Sequence, residues 1–440
     1  MKFIVEKRYL LSFILVTSLF ALWGFANDIT NPMVAAFQTL MELSAGKASL
    51  IQFAFYGGYA TMAIPAALFV RKYSYKAGIL LGLLLYAIGA FLFIPAAAYQ
   101  QFSFFCLSLY VLTFGLAFLE TTANPLILSL GSKKTSTRRL NLAQAFNPMG
   151  SLCGMLVASH LVLPKLVSDR RDAAGDIIFY GLSEAEKAGI RLHDLAIIRN
   201  PYVIIGLVVL AVCIVFAIAK LPDTRPQGKM CSTRDTLRHL WANRSYCYGV
   251  LSQVFYVAAQ IMVWTFIIQY AENLGFDKAT AQRYNIIAMI MFLCGRFVST
   301  MLMHRINSRL MLAFFGFGAM VATLLAIFVV GPVGLYSLIS ISFFMSLMFP
   351  SIYGIAMEDV DATDTTLGAA FLVMAIVGGS IMPPLQGMII DRGVIFGHPA
   401  VNVSFVLPLL CFIIVTLYGI YTFYLRFKRA LDKDVNNTHI

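Results

Sequence analysis

Two carboxylates lie in stretches that are otherwise apolar enough to be buried in a lipid bilayer. Asp28 lies in FALWGFANDITNPMVAAF, residues 20–37, and Glu120 lies in LAFLETTANP, residues 116–125. An ionisable side chain at bilayer depth costs at least ~2.5–3.5 kcal/mol, so it normally faces a protein interior or a wet cavity. A carboxyl group there takes up and releases protons as water or a ligand reaches it. Both acids are therefore candidate proton-coupling groups; the alternative is that each is a structural hydrogen-bonding centre between helices.

Amide and aromatic side chains accompany these acids. Tyr256, Gln260 and Trp264 are spaced at i, i+4 and i+8, so they share one helical face. Amides that both donate and accept hydrogen bonds, close to an indole or phenol ring, suit a neutral polyhydroxylated ring. The alternative is that the amides join helices to one another, at ~0.6 kcal/mol each. The candidate substrate-binding amides of the first half are Asn27, Asn31, Asn124, Asn141, Gln144 and Asn147.

The elements that must position these residues are membrane spans. Of 440 residues, 60% are hydrophobic and 12% are charged, about half the charged share of a soluble domain. The net charge of +12 is carried by short connectors rather than by one polar face, which argues against a nucleic-acid partner. A hydrocarbon core about 30 Å thick needs about 20 apolar helical residues. This rule predicts twelve spans, near residues 10–37, 50–70, 76–98, 102–130, 140–165, 201–221, 246–270, 280–303, 309–330, 333–356, 367–391 and 402–426.

The predicted fold is an all-α membrane protein with two six-helix bundles. Lys and Arg are concentrated in the connectors on the side of the N-terminus, which predicts that both termini are cytoplasmic. Residues 1–221 form the predicted N-terminal bundle, 222–245 a cytoplasmic central loop and 246–440 the C-terminal bundle. On this layout Asp28 and Glu120 differ in depth by roughly 14 Å and straddle the midplane, at ~1.5 Å per residue. A substrate path between two such bundles is typical of secondary transporters.

Several other residues limit the possible chemistry. Arg296, near the inner end of span 8, is interpreted as locking the cytoplasmic helix ends rather than contacting substrate. Asp364 is a candidate cap for span 11. The seven cysteines lack metal-binding or CxxC spacing, and we identify no ATP-binding or Rossmann motif. The expected energy source is an ion gradient or the substrate's own gradient. The remaining candidate cation site is the acidic cluster of Glu358, Asp359, Asp361 and Asp364.

Several long runs resemble one transporter family. These runs include FALWGFAN, LETTANPLI, RRLNLAQAFNPMGS, FYVAAQIMVW and FLCGRF. Through them the chain, from about residue 9 to 426, is similar to the L-fucose permease family of sugar and proton symporters, within the major facilitator superfamily. The resemblance implies proton-coupled uptake of a monosaccharide by alternating access, without a cofactor, in a bacterial inner membrane. We also expect a functional monomer.

The resemblance assigns residues as well. The family's span 4 acid corresponds to Glu120. In span 1 the family reads A-N-N-x-N-D, whereas this chain reads ANDITN over residues 26–31. The acid, Asp28, is thus three residues earlier, on the same helix face. The positions that match the family's cavity lining are Asn141, Gln144, Asn147, Tyr256, Gln260 and Trp264.

The expected function is import of L-fucose or a related monosaccharide with a proton. Within the class, the alternatives are a glucose, galactose or amino-sugar permease, or one driven by sodium. A polytopic enzyme acting on a lipid-linked sugar would depend on the acidic cluster at residues 358–364 for its catalytic acids. A sugar sensor is the third possibility, and it predicts sugar binding without accumulation.

Overall fold

The computed structural model describes residues 9–30, 32–130, 143–144, 146–172, 175–219, 232–302, 305–358, 360–361 and 364–437. Over these ranges, eleven stretches are long and apolar enough to cross a membrane. The remaining predicted span corresponds to a 25-residue helix, Lys278–Leu302, that carries Arg283 and Arg296. The prediction of an all-α membrane fold is confirmed.

In the first half, residues 9–219, several helices pack against helices that are not their neighbours in the chain. The first helix packs against the eighth, the fourth and fifth pack against the seventh, and the fifth also packs against the ninth. In chain order they are α1 (Leu10–Thr30), α2 (Met33–Leu40), α3 (Ala45–Ala48), α4 (Leu50–Lys72), α5 (Tyr75–Phe91), α6 (Phe93–Tyr99), α7 (Phe102–Ser129), α8 (Phe146–Val157) and α9 (Glu184–Ile218).

The second half, residues 232–437, contains an antiparallel pair of two-residue strands, β1 (Val394–Ile395) and β2 (His398–Pro399). Its helices are α10 (Thr233–Ala242), α11 (Arg244–Asn273), α12 (Lys278–Leu302), α13 (Ser308–Phe328), α14 (Pro332–Met345), α15 (Met348–Met357), α16 (Thr365–Met374), α17 (Gly378–Ile390), α18 (Ala400–Ser404) and α19 (Val406–Asn437). Helix α11 contacts α12, α15, α17 and α19, and α13 joins α14 to α19. The two halves meet where α4 contacts α16 and α17, and where α8 contacts α12.

Glycines allow the helices that carry candidate residues to touch backbone to backbone. A Cβ atom at Gly150 would lie 1.9 Å from the carbonyl oxygen of Ala21, and one at Gly24 would lie 2.1 Å from that of Asn147. Real Cβ atoms do not approach a carbonyl so closely, so α1 and α8 need glycine at both points. This contact fixes Asn147 and the polar end of α1 relative to each other.

The sixth span differs from its prediction. Helix α9 begins at Glu184, well before the predicted start at 201, and Pro201 lies inside it. A capping box between Ser183 and Glu186 starts the helix by satisfying backbone N–H groups at its first turn. Hydropathy detects only the apolar part of such a helix. Residues 220–231, which include the first ten residues of the predicted central loop, lie outside the described residues, and α10 occupies the later part of that loop.

Candidate functional site

A cavity between the two halves is lined from both of them. This central cavity has a volume of about 110 Å³, several times the about 10–15 Å³ that one water molecule needs. From the first half it is lined by Phe20, Trp23, Asn27, Asp28, Tyr56, Tyr59, Glu120, Gln144, Asn147, Pro148 and Ser151. From the second half it is lined by Tyr256, Val257, Gln260, Ile261, Trp264, Met289, Phe292, Arg296, Phe349 and Ile376.

The two candidate proton-coupling acids both line this cavity. Asp28 on α1 and Glu120 on α7 are each 1% exposed. Within the described part of the chain, the Oε2 atom of Glu120 is buried without a hydrogen-bond partner. Tyr56 and Tyr59 line the same cavity as the two acids. The structure therefore presents a buried carboxyl oxygen that remains available to a proton or a ligand.

The predicted amides divide into lining and supporting residues. Asn27, Gln144, Asn147 and Gln260 line the cavity. Asn124 is not among the lining residues; its Oδ1 accepts a hydrogen bond from Gln144 Nε2 at 3.2 Å, and its Nδ2 donates to the Glu120 carbonyl at 3.2 Å. Its position is therefore behind Gln144, between two residues of the cavity wall. The two other predicted amides, Asn31 and Asn141, lie outside the described residues.

The predicted aromatic residues of α11 present ring surface to the cavity. The Tyr256 hydroxyl donates to the Met345 carbonyl at 3.1 Å, and Trp264 Nε1 donates to Ser342 Oγ at 3.1 Å. Their polar atoms are thus already bonded to α14. What remains for a ligand is the face of each ring, which suits the apolar face of a sugar.

Arg296, which the sequence suggested as a lock of the cytoplasmic helix ends, lines the central cavity. Its Cζ lies 4.9 Å from the ring centre of Phe292, and its Nε donates to the Ser346 carbonyl at 3.4 Å. It follows Met289 and Phe292 on one face of α12, and that spacing was the signal available in the sequence for its place in the cavity wall. Its structural role stays a prediction.

Six lining aromatic residues were not predicted as site residues: Phe20, Trp23, Tyr56, Tyr59, Phe292 and Phe349. Trp23 precedes Asn27 by four residues, which places the two on one face of α1, and this spacing was a usable signal. Tyr56 and Tyr59 lie on α4 among many other aromatic residues, and nothing in their local sequence separates a cavity-facing ring from a buried one.

The acidic cluster pairs with basic side chains instead of forming a cation site. Glu358 contacts Arg309, and Asp364 Oδ2 lies 3.1 Å from His239 Nδ1. From the predicted cap at residues 364–366, Asp364 does occupy the N-cap position of α16, but its side chain makes no capping hydrogen bond. Among the described residues, no three His, Cys, Asp or Glu side chains are grouped as a metal site. Asp359 lies outside those residues.

Sequence comparison finds relatives that align over almost the whole chain. Residues 11–383 match the Major Facilitator Superfamily. The L-fucose-proton symporter of Haemophilus influenzae is 60% identical over 417 residues, which cover 94% of this chain and 97% of that protein. The Escherichia coli L-fucose-proton symporter is 34% identical over 421 residues, covering 94% and 93%. The glucose/galactose transporter of Brucella abortus is 29% identical over 418 residues, covering 94% and 95%.

Structure comparison gives the same result. A crystal structure of the transporter FucP in the outward conformation matches with a TM-score of 0.74 and 33% identity, over 94% of this chain and 99% of that chain. A crystal structure of a D-xylose-proton symporter, at 12% identity, matches with a TM-score of 0.64. At that identity the likeness concerns the fold alone.

Proposed function

Because the chain belongs to the L-fucose-proton symporter family of the Major Facilitator Superfamily, we propose that it imports L-fucose together with a proton. We further propose that transport occurs by alternating access of the central cavity. The single observation that carries the proposal is the unpartnered Oε2 atom of Glu120 in a cavity lined by amides and aromatic rings. Such a cavity offers a proton site and a sugar site within one enclosure.

The proposed proton carrier is Glu120. An ionised carboxylate buried without a partner is costly, so a bound proton stabilises the dry cavity. When water or sugar hydroxyls reach the Oε2 atom, they solvate the ionised form and the proton can leave. Asp28, next to Tyr56 and Asn27, is proposed as a second proton-binding or sugar-binding group.

The proposed sugar contacts combine amides with ring faces. Asn27, Gln144, Asn147 and Gln260 supply donors and acceptors for hydroxyl groups, and Trp264 supplies a flat apolar surface. In this proposal Asn124 holds Gln144 in position. Asn31 and Asn141 keep the substrate-binding role that the family resemblance implies.

The cavity also favours L-fucose over other hexoses. L-Fucose carries a methyl group where glucose and galactose carry a hydroxymethyl group. Ile261, Met289, Phe292 and Phe349 give the cavity an apolar side, which can receive a methyl group without leaving a hydroxyl unpaired. Transport of glucose or galactose is the second candidate, and the similarity to the Brucella abortus transporter supports it.

The membrane, the orientation, the oligomeric state and the bundle boundaries are also part of the proposal. We propose a bacterial inner membrane, cytoplasmic termini, a functional monomer and bundle boundaries at residues 1–221 and 246–440. The basic connectors on the side of the termini support this orientation. The ends of the helices remote from the termini then face the outside.

The test is the pH of a lightly buffered suspension of anaerobic cells that express the protein. L-Fucose, D-galactose, D-glucose and N-acetylglucosamine are added in turn. We expect alkalinisation with L-fucose, because each imported sugar carries a proton out of the medium. Alkalinisation with only another sugar would show that this sugar, and not L-fucose, is the substrate. Uptake of radiolabelled sugar without a pH change, together with stimulation of uptake by sodium, would show that sodium is the coupling ion.

A substitution tests the second carboxyl group separately. Asp28→Asn removes the charge and keeps the size of the side chain, and we expect it to reduce uptake and alkalinisation at least ~10-fold, because a buried charged group that contacts substrate contributes more than ~1.4 kcal/mol. Asp172→Asn, in an exposed loop, is the matched control. Full activity of Asp28→Asn would show that Asp28 serves only in packing and neither binds a proton nor contacts the sugar.

A further inference from the structure

Charged side chains from both halves meet at the end of the molecule remote from the termini. Asp169 and Arg171 belong to the first half, and Glu272 and Lys278 belong to the second. Lys278 Nζ lies 2.9 Å from Asp169 Oδ1 and 3.6 Å from Glu272 Oε1, and Arg171 lies 3.3 Å from Glu272. We name these four residues the outer clasp.

Lys278 is the centre of the outer clasp. It is 3% exposed, and besides the two carboxylates it donates a hydrogen bond to Thr39 Oγ1, near the end of α2. Two elements of the first half are therefore attached to one cation of the second half. Removing the partners of a buried cation costs far more free energy than removing the partners of a cation at the surface. Lys278 must therefore keep its partners while it is buried.

The charges are distributed so that the contact is reversible. Each half carries one acid and one base, and Lys278 and Glu272 are already paired within the second half. When the halves separate, Lys278 retains Glu272, and the first half still carries the opposite charges of Asp169 and Arg171, two residues apart in the chain. Neither half is left with an uncompensated charge, which is the property that a contact needs if it must form and break in every transport cycle.

A second cavity lies against the outer clasp and can hydrate it. It has a volume of about 300 Å³ and is lined by Thr39, Glu272 and Lys278 among other residues. In the same wall Gln269 Nε2 donates to Gln38 Oε1 at 3.0 Å, another hydrogen bond between the halves. Water from this cavity can solvate the separated charges as the halves move apart.

From these contacts we propose that Lys278 holds the outer entrance of the transport path closed, as the cation that binds Asp169 across the two halves. The proposal rests on the proposed function for its direction, outside against inside, and for the use of the central cavity as the path. It assigns to Lys278 a positioning role: the residue does not contact sugar, and it controls access from outside to residues that do.

The sign of the effect follows from the charges. Lys278→Met removes the cation that binds Asp169 across the two halves, so only the ion pair of Arg171 with Glu272 still joins them within the outer clasp and the open state gains population. The exchange Asp169→Lys with Lys278→Asp instead places two cations on the first half opposite two anions on the second. That double variant restores the attraction and should close the entrance at least as firmly as the native pair.

The test measures access to the central cavity directly. Val257 lines that cavity, and Val257→Cys provides a thiol there for a membrane-impermeant maleimide added outside intact cells. Protein without this cysteine gives the background from the native thiols. We expect Lys278→Met to raise the labelling rate of the new thiol roughly tenfold, and the charge exchange to return it to the starting rate or below. Lys165→Met, which removes a lysine that is not part of the outer clasp, should leave the rate unchanged.

Two outcomes would overturn the proposal: equal labelling rates with and without Lys278→Met, or failure of the charge exchange to reverse the effect. If Lys278→Met does not reach the membrane, Asp169→Asn replaces it, with a smaller expected increase because Lys278 keeps Glu272. The labelling needs no sugar. An error in the proposed substrate or coupling ion is therefore detected only by the alkalinisation experiment. An error in the proposed role of the outer clasp is detected only by the labelling experiment.

Discussion

At the scale of single residues, the two buried acids differ in their surroundings. Asp28 follows Asn27 on α1, and both line the cavity together with Tyr56. Glu120 keeps a buried Oε2 atom without a partner in the described part of the chain. A carboxyl oxygen that protein groups do not already occupy responds most strongly to the arrival of a proton or a hydroxyl group. For this reason the coupling role is assigned first to Glu120.

Substitution of Glu120 by Gln should separate sugar movement from proton movement. The amide keeps the shape and hydrogen-bonding capacity of the protonated acid but cannot release a proton. We expect exchange of internal for external sugar to continue, while accumulation driven by a pH gradient falls at least ~10-fold, since a step that needs deprotonation is lost. Uptake of radiolabelled L-fucose into membrane vesicles, with and without an imposed pH gradient, measures both.

The matched control is Glu184→Gln, because the side chain of Glu184 is 76% exposed at the start of α9. It should leave both exchange and accumulation unchanged. If Glu120→Gln accumulates sugar as well as the native protein does, Glu120 is not the coupling residue and Asp28 becomes the stronger candidate.

The sequence predicted those site residues that are chemically unusual for their surroundings. Asp28, Glu120 and Gln260 were identifiable because polar groups in apolar spans are costly and rare. Tyr59 was not, because a tyrosine in an apolar helix satisfies the same pattern whether it faces a cavity or a neighbouring helix. Arg296 was identified, but its place in the cavity wall was not predicted, since depth estimated along the sequence ignores which way the helix face points.

At the scale of elements, the contact of α1 with α8 determines whether the cavity wall can form. Gly150→Ala would place a methyl group against the Ala21 backbone, and backbone atoms cannot yield as a flexible side chain can. We expect an overpacking cost of about 1–3 kcal/mol and a loss of sugar binding, because Asn147 and Ser151 move with α8. Thermal unfolding in detergent and L-fucose binding measure the two effects.

Gly189→Ala is the matched control for this substitution. Gly189 lies in α9 with no atom near the added methyl group, so alanine should stabilise the helix by about 0.5–1 kcal/mol. Sugar binding should not change. Equal stability of the Gly150 variant and the native protein would mean that α1 and α8 separate easily, contrary to the packing seen here.

Glu42 makes the contact between the end of α2 and helix α9 depend on pH in its contribution to stability. It pairs with Lys187 at 2.8 Å and with Arg191 at 2.7 Å. The hydrogen bond from Lys187, together with the positive charge of both bases, lowers the pKa of Glu42 below its ordinary value of 4.5. A lowered pKa in the folded state stabilises the protein above pH 4.5, and that contribution is lost as the pH falls through the folded pKa.

We therefore expect Glu42→Gln to lower the apparent Tm by about 1–2 °C at pH 7, a small effect because the pair is partly exposed. The difference from the native protein should shrink as the pH falls below 4.5 and vanish once Glu42 is protonated in both states. Thermal scans of the two proteins across this range measure it. A difference that stays constant down to pH 3 would show that the charge of Glu42 is not its cause.

The helix boundaries show which features of the fold hydropathy predicts and which it misses. The rule of about 20 apolar residues predicted α7 within one residue at each end, because that helix is apolar to its last turn. It started the sixth span 17 residues late, since the first turns of α9 are polar and depend on a capping box. It also missed the interruptions of the tenth and eleventh spans, at Ser346 and at residues 375–377, which depend on tertiary packing rather than on composition.

At the scale of the whole molecule, the two halves are joined at the end remote from the termini by bonds that differ in type. Besides the outer clasp, Asp391 of the second half accepts hydrogen bonds from the backbone N–H groups of Ala45 at 2.7 Å and Gly46 at 2.9 Å, at the start of α3. If the halves move as units, both contacts break in the same opening step and bias a single equilibrium.

This reasoning predicts how two substitutions combine. Asp391→Ala should raise the labelling rate at Val257→Cys about two- to fivefold, less than Lys278→Met, because Asp391 is partly exposed and loses less on opening. Since both changes act on one two-state equilibrium, their effects on the open population should multiply until the open state predominates, and then level off. Arg392→Ala, at the exposed neighbouring position, is the control and should change nothing. If Asp391→Ala instead gave no increase alone and none on top of Lys278→Met, the start of α3 would have to move with the second half, and opening would occur between α3 and the rest of the first half.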